Sequence, residues 1–227
     1  MAEYATGIET KARILAASKR LFIENGYEQT TFKDICREAD TTQGSIYYHF
    51  TAKSNILQAI FAELSDDLRD GLRDIFSGKI SRAVEYSLYT LASWYLFFTN
   101  DRYRSLMQSA TVSRLADDFK TDSWLSVEVE DPIFDEYCYR DEPFSAEERS
   151  AIIMGGLGIM KEYQFYMADK LNRYSYEQVS RFYLNAFFGF FGMGISRVEE
   201  TFNEALRLMK PLTITADNDL HVRIRRN

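Results

Sequence analysis

Small and apolar residues recur at three- and four-residue steps through Ile14, Leu15, Ala17, Ser18, Leu21 and Phe22, the spacing that lines side chains along one face of an α-helix. The pattern predicts a first helix over 9–25, stopped by Gly26 as a left-handed C′ residue. Thr31 then stands where an N-cap belongs, with Asp34 in the following turn, and opens the short helix TFKDICREA, whose apolar positions are Phe32, Ile35, Cys36 and Ala39. Asp40 and Thr41 break it. A third short helix runs over 42–49, with Ile46 inward and Phe50 one turn later on the same side. Two short helices joined by so brief a turn form a helix-turn-helix.

Lys53 starts a long helix through Ile56, Leu57, Ile60, Phe61, Leu64, Leu68 and Leu72 that ends near 76 and links this small head to the rest of the chain. SGK at 77–79 interrupts the pattern, and helices are predicted over 80–99, 101–119 and 132–140. Ser145 with Glu148, and Ser175 with Gln178, fit the capping box, in which cap and third residue satisfy each other's backbone donors. Each opens a long apolar-periodic run, 152–171 and 179–209. Pro211 ends the second, and TADNDLHVRIRRN reads as a polar, mobile tail. The expected division is a helix-turn-helix domain over 1–52, a helical domain over 53–210 and a tail over 211–227. The fold class is all-α.

Composition supports that class. Hydrophobic residues make up 46% of the 227, with only 3 Pro and 11 Gly, which favours long helices over a turn-rich β architecture. Cys36 and Cys138 give neither a disulfide framework nor a zinc spacing, which suits a reducing cytoplasm, and no metal or cofactor is expected. The N-terminus lacks the apolar stretch of a signal peptide, and AFFGFFGMGI over 186–195 is too short to span a membrane and reads as buried helix. MGGLG over 154–158 lies inside a helical run rather than after a strand, so close helix packing explains it better than a phosphate loop. With only His49 and His221, no nucleophile–base pair and no cofactor fingerprint, nothing asks for catalysis. The net charge is −7, yet residues 1–60 carry seven Lys/Arg against seven Asp/Glu, so the head alone is free of overall repulsion from a polyanion.

The stretch TTQGSIYYHF gives that balance its meaning. With Ile46 and Phe50 turned to the core, Gln43, Ser45, Tyr47, Tyr48 and His49 occupy the remaining surface. Gln43 and Ser45 can hydrogen-bond base edges, the tyrosine rings can pack on thymine methyls or sugars, and Tyr hydroxyls, His49 and Lys53 can reach phosphates. Gly44 removes a side chain where the helix approaches the groove, at about 1 kcal/mol of helix propensity.

ILAASKRLFIENGYEQTTFKDICREA followed by TTQGSIYYHFTAKSNIL resembles the DNA-binding domain of the TetR (tetracycline repressor) family over residues 9–57. The resemblance implies that Thr31 and Lys33 contact phosphate or a base, that Thr42, Gln43, Ser45 and Tyr48 reach into the major groove, and that Tyr47, His49 and Lys53 clamp the backbone. Asp40 replaces the family's usual turn glycine and Thr41 its small hydrophobe; Asp tolerates a left-handed conformation better than most residues.

The same resemblance implies a helical bundle with a ligand pocket and a homodimer interface, and hence a ligand-responsive repressor on a palindromic double-stranded operator. Candidate pocket residues are Tyr89, Trp94 and Phe98, then Tyr103 and Met107, then Phe134 and Tyr137 among the carboxylates Glu130, Asp131, Asp135, Glu136, Asp141 and Glu142, and finally Tyr163 and Tyr166. The rings suit a small hydrophobic or aromatic effector, and the carboxylates among them could hold a cationic, aromatic one by charge and cation–π attraction; the plain alternative is core packing and a solvated acidic loop. Phe187, Phe188, Phe190 and Phe191 with Gly189, Gly192 and Gly194 make a helix apolar nearly all round, which must be covered on both sides; a second subunit would cover one of them through Phe187, Phe188, Phe191 and Ile195, and complete burial within one chain is the alternative. An effector-independent DNA-binding structural or division-control protein is the alternative function.

Overall fold

The computed structural model describes residues 2–76, 78–112, 143–167 and 169–227. They form a small three-helix head, α1 (Ala2–Asn25), α2 (Phe32–Glu38) and α3 (Gln43–His49), and the long helix α4 (Lys53–Phe76) that leaves it. A bundle follows of α5 (Arg82–Thr99), α6 (Asp101–Val112), α7 (Ala146–Met167), α8 (Tyr176–Phe190) and α9 (Ile195–Met209). A two-stranded antiparallel hairpin, β1 (Leu212–Ala216) and β2 (Val222–Arg226), closes the chain. The helix expected over 132–140 and the end of that expected over 101–119 lie outside the described residues.

Local signals set the boundaries in the head. Gly26 ends α1 at φ +88, and Asp40 takes the left-handed turn between α2 and α3 at φ +46, so the carboxylate side chain substitutes for glycine there. Thr31 and Asp34 form a reciprocal capping box, and Ser145 with Glu148 and Ser175 with Gln178 repeat it at α7 and α8. Ile14, Phe22, Ile35 and Ile46 are fully buried between the head helices, and Lys19 ties α1 to α4 through Glu63 at 3.1 Å.

α5 is the central strut of the bundle, packed against α4, α6, α8 and α9. Tyr86 stacks on Phe187 at 4.6 Å between ring centroids, and its hydroxyl meets that of Tyr183 at 2.7 Å, both buried. Gly156 of α7 faces the Phe187 ring so closely that an added Cβ would come within 2.7 Å of it; the glycine admits the ring.

Two expectations are corrected. The run 179–209 is two helices, because Gly192 adopts φ +75 and ends α8 in a Schellman arrangement, Met193 N–H donating to Phe188 O at 3.2 Å and Gly192 N–H to Gly189 O at 3.0 Å. The tail beyond 211 is ordered. Ile214 and Val222 are buried, Val222 N–H donates to the Asp67 carboxylate at 2.9 Å, and Ile224 packs on Gly71 of α4. Asn100 Nδ2 and Arg102 Nη1 donate to Ala216 O and Asn218 O, so the hairpin joins the middle of α4 to the α5–α6 turn.

Candidate nucleic-acid interface and sensor bundle

The α3 surface is built from its N-cap upward. Thr42 is the cap, its hydroxyl accepting from Ser45 N–H at 3.2 Å, which fixes the first turn. Ile46 and Phe50 turn inward, leaving Thr42, Gln43, Gly44, Tyr47 and Tyr48 exposed and Ser45 and His49 half-buried. Tyr48 is 84% exposed, far beyond what a core ring tolerates. Tyr47 leans on Phe32 at 5.2 Å, and the His49 ring lies 4.9 Å from that of Tyr48 and 6.5 Å from that of Phe50. An added Cβ on Gly44 would meet only the Thr42 hydroxyl, at 3.9 Å, so nothing in this chain requires a glycine there.

Two expected DNA contacts are otherwise engaged. The Thr31 hydroxyl donates to the Asp34 carboxylate at 2.6 Å and accepts from Asp34 N–H, and this bonding holds the Asp34 carboxyl below its ordinary range. Lys53 donates to Tyr27 O at 2.7 Å, Thr30 O at 3.0 Å and Glu28 O at 3.4 Å, with its ammonium 4.2 Å from the Tyr27 ring centroid. These bonds direct the ammonium at the α1–α2 turn, so in the free protein Lys53 braces the head. Lys33 is exposed on α2.

In the bundle, Trp94 and Tyr103 are buried, and Tyr89, Phe98, Met107 and Tyr163 are half-buried against the core. Tyr89 donates to Ser65 Oγ at 3.1 Å. Burial pushes the Tyr103 phenol well above its usual range, and Tyr89 adds to the shift while Ser93 opposes it. Tyr166 stands apart: it is half exposed, with Lys170 Nζ 4.1 Å from its ring centroid. Phe134, Tyr137 and the carboxylates over 130–142 lie outside the described residues. Sequence reasoning passed over Ser87 and Thr90, fully buried hydroxyls without a hydrogen-bond partner on the same helix as Trp94. Their signal is polar positions at helical spacing within an apolar run.

The expected interface residues divide between the core and the surface. Phe187, Phe188 and Phe191 are at most 2% exposed within the single chain, because they share the inward stripe of α8 with Tyr183 and Leu184. Among the described residues of the bundle, the exposed large apolar side chains are Met154, Phe165 and Tyr166 of α7, Phe182 and Phe190 of α8, and Ile195, which is 72% exposed. Gly158 and Gly189 are also open there, with nothing within 4 Å of an added Cβ. Among the described residues no helix is long and apolar enough to cross a membrane, and no group of His, Cys, Asp and Glu could hold a metal ion.

Residues 14–60 match the profile of bacterial regulatory proteins, tetR family. The HTH-type transcriptional regulator TtgR of Pseudomonas putida is 40% identical over 58 residues, 26% of this chain and 28% of TtgR. QacR of Staphylococcus aureus, another HTH-type transcriptional regulator, is 32% identical over 114 residues, 50% of this chain and 57% of QacR. The likeness in sequence thus spans little more than a quarter to just over half of these relatives' length. In structure, RolR crystallised with resorcinol superposes with a TM-score of 0.56 over 87% of this chain and 95% of that one, at 11% identity, a likeness of fold. The head thus matches the tetR family profile over residues 14–60, and head and bundle together share the fold of RolR.

Proposed function

We propose that this chain is a ligand-responsive transcriptional regulator, most simply a cytoplasmic repressor, that binds a palindromic operator as a homodimer and is released by a small effector; it is not an enzyme. The observation that carries the reading is the uncovered face of α3, where Gln43, Gly44 and Tyr48 stand exposed beside a fixed helix N-terminus. Residues 1–52 serve DNA, and 53–210 serve sensing and dimerisation, with the hairpin packed onto them. Gln43, Ser45 and Tyr48 read the major groove, Thr42, Tyr47, His49 and Lys33 position the backbone, and Thr31 and Lys53 act through the shape of the head. Two copies would pair through the open apolar faces of α7 and α8. α4 sets the separation of the two heads, and an effector acts by favouring a separation that successive major grooves, about 34–36 Å apart, cannot match.

The test is selection of bound duplexes from a random pool by the purified chain. The expected product is a palindrome of two half-sites, with affinity that falls steeply with salt as phosphate contacts release counterions. Gln43→Ala should relax preference at one base pair by roughly 1–3 kcal/mol. Enrichment of no sequence would sink the reading and favour the effector-independent structural role.

A further inference from the structure

We infer, building on the sensor reading above, that the face of α5 carrying Ser87, Thr90 and Trp94 is the effector's polar anchor, and that the effector is an uncharged, largely apolar molecule bearing hydroxyl or carbonyl oxygens. Ser87 and Thr90 are 0% exposed and Trp94 2%, and none of Ser87 Oγ, Thr90 Oγ1 and Trp94 Nε1 has a hydrogen-bond partner. The three residues recur at i, i+3 and i+7, so they share one helix face. Two other buried hydroxyls of the bundle close on the carbonyl four residues back: Ser180 on Tyr176 O at 2.8 Å, and Thr201 on Arg197 O at 2.9 Å. Those of Ser87 and Thr90 do not, although that satisfaction is open to any helical Ser or Thr.

Three unpartnered polar groups on one buried face cost stability, and alanine or valine would fill the same space without the cost. A ligand that completes their bonding is the reason to keep them. The indole N–H only donates and each hydroxyl can donate or accept, so the complementary groups are acceptor oxygens, with hydroxyls also served. Charge decides the rest. Among the described residues the only buried ionic residue is Lys19, 4% exposed on α1 and paired with Glu63. Arg104, on the next helix, directs its guanidinium to Phe97 O and to the Asp101 carboxylate. Among the described residues the ionic groups beside α5 are already paired, Arg69 with Asp66 and Glu85 with Arg73 and Arg82, so an ionic ligand finds no spare countercharge among them, and burying an unpaired ion is prohibitive.

The test uses the full chain and a matched fragment set: benzene, naphthalene and biphenyl frames, each bare or carrying a hydroxyl, acetyl, carboxylate or trimethylammonium group. At least one hydroxyl or acetyl derivative should raise the melting temperature and bind better than its bare frame by roughly fivefold or more, the size of one hydrogen bond. The carboxylate and ammonium derivatives should not bind. Ser87→Ala, Thr90→Val and Trp94→Phe should each shrink the preference for oxygen, and the first two should leave the melting temperature of the free protein equal or higher. Binding of the charged derivatives, no preference for oxygen, no binding by any frame, or hydroxyl deletions that lower the free protein's melting temperature would each overturn the inference. Release from the selected duplex is scored separately. Oxygen-dependent binding without release removes the regulatory reading and keeps the site; release by fragments whose binding ignores the three variants does the reverse.

Discussion

The Lys53 ammonium donates to the Tyr27 carbonyl at 2.7 Å and sits 4.2 Å from the centroid of the same residue's ring, joining the start of α4 to the turn that follows α1. The cation holds the head to the helix that carries it into the bundle. Its contribution is therefore structural before it is electrostatic.

Lys53→Met keeps much of the aliphatic stem and removes the charge and its three hydrogen bonds. We expect destabilisation of the head by roughly 1–3 kcal/mol, the range for hydrogen bonds made by a charged group. Amide exchange should accelerate over 26–31, and the slope of operator affinity against salt should stay near that of the wild type. A flattened slope with unchanged exchange would return Lys53 to the phosphate backbone.

The Thr31–Asp34 capping box predicts a pH response. The Thr31 hydroxyl, then the Thr31 backbone N–H, holds the Asp34 carboxyl below its ordinary 3.8. A depressed carboxylate lends stability that is fully present above the unfolded value and is lost as pH falls through the folded one. Asp34→Asn should thus be less stable than the wild type at pH 7, with the gap narrowing as pH drops below 3.8. Acid titrations of both proteins followed by circular dichroism check this; a gap independent of pH would show that the carboxylate is not the active partner.

Gly44 separates folding from binding. Since a Cβ there meets only the Thr42 hydroxyl at 3.9 Å, Gly44→Ala should leave the free protein equally stable or more stable by about 0.5–1 kcal/mol. Operator affinity should fall by roughly 1–3 kcal/mol if the added methyl meets a base edge. Thermal melting and a duplex titration measure the two effects, and unchanged affinity would move the groove contact away from the α3 N-terminus.

What was legible in the sequence is what is settled locally. Gly26, the left-handed Asp40, the N-cap at Thr31 and the capping boxes at Ser145 and Ser175 each depend on a few adjacent residues, and all are in place. The bracing by Lys53 was not legible because its partners lie 23 to 26 residues back along the chain, where no spacing rule reaches. The phenylalanines of α8 showed that the helix had to be covered, and not from which side; that choice is made by Tyr86 and Gly156, on two other helices. The hairpin carried a signal that its polarity obscured. Leu212, Ile214 and Ala216, then Val222 and Ile224, alternate with the two-residue period of strands on either side of a polar turn.

The open face of α7 and α8 yields the sharpest contrast between neighbouring residues. Phe182 is 55% exposed and Phe187, five residues on, is 2% exposed, stacked with Tyr86 and with Tyr183. Phe187→Ala should cost about 3–5 kcal/mol through the cavity it leaves, and should disturb the fold whether or not the chain pairs. Phe182→Lys, combined with Phe165→Lys, should leave the secondary structure intact, because both rings already face away from the core, yet put two charges into a surface that a partner copy would desolvate. Sedimentation should then show a folded monomer, and operator affinity should collapse, since one head contacts only one half-site. A double variant that stays dimeric would place the interface elsewhere on the bundle and leave this apolar face without the occupant assigned to it.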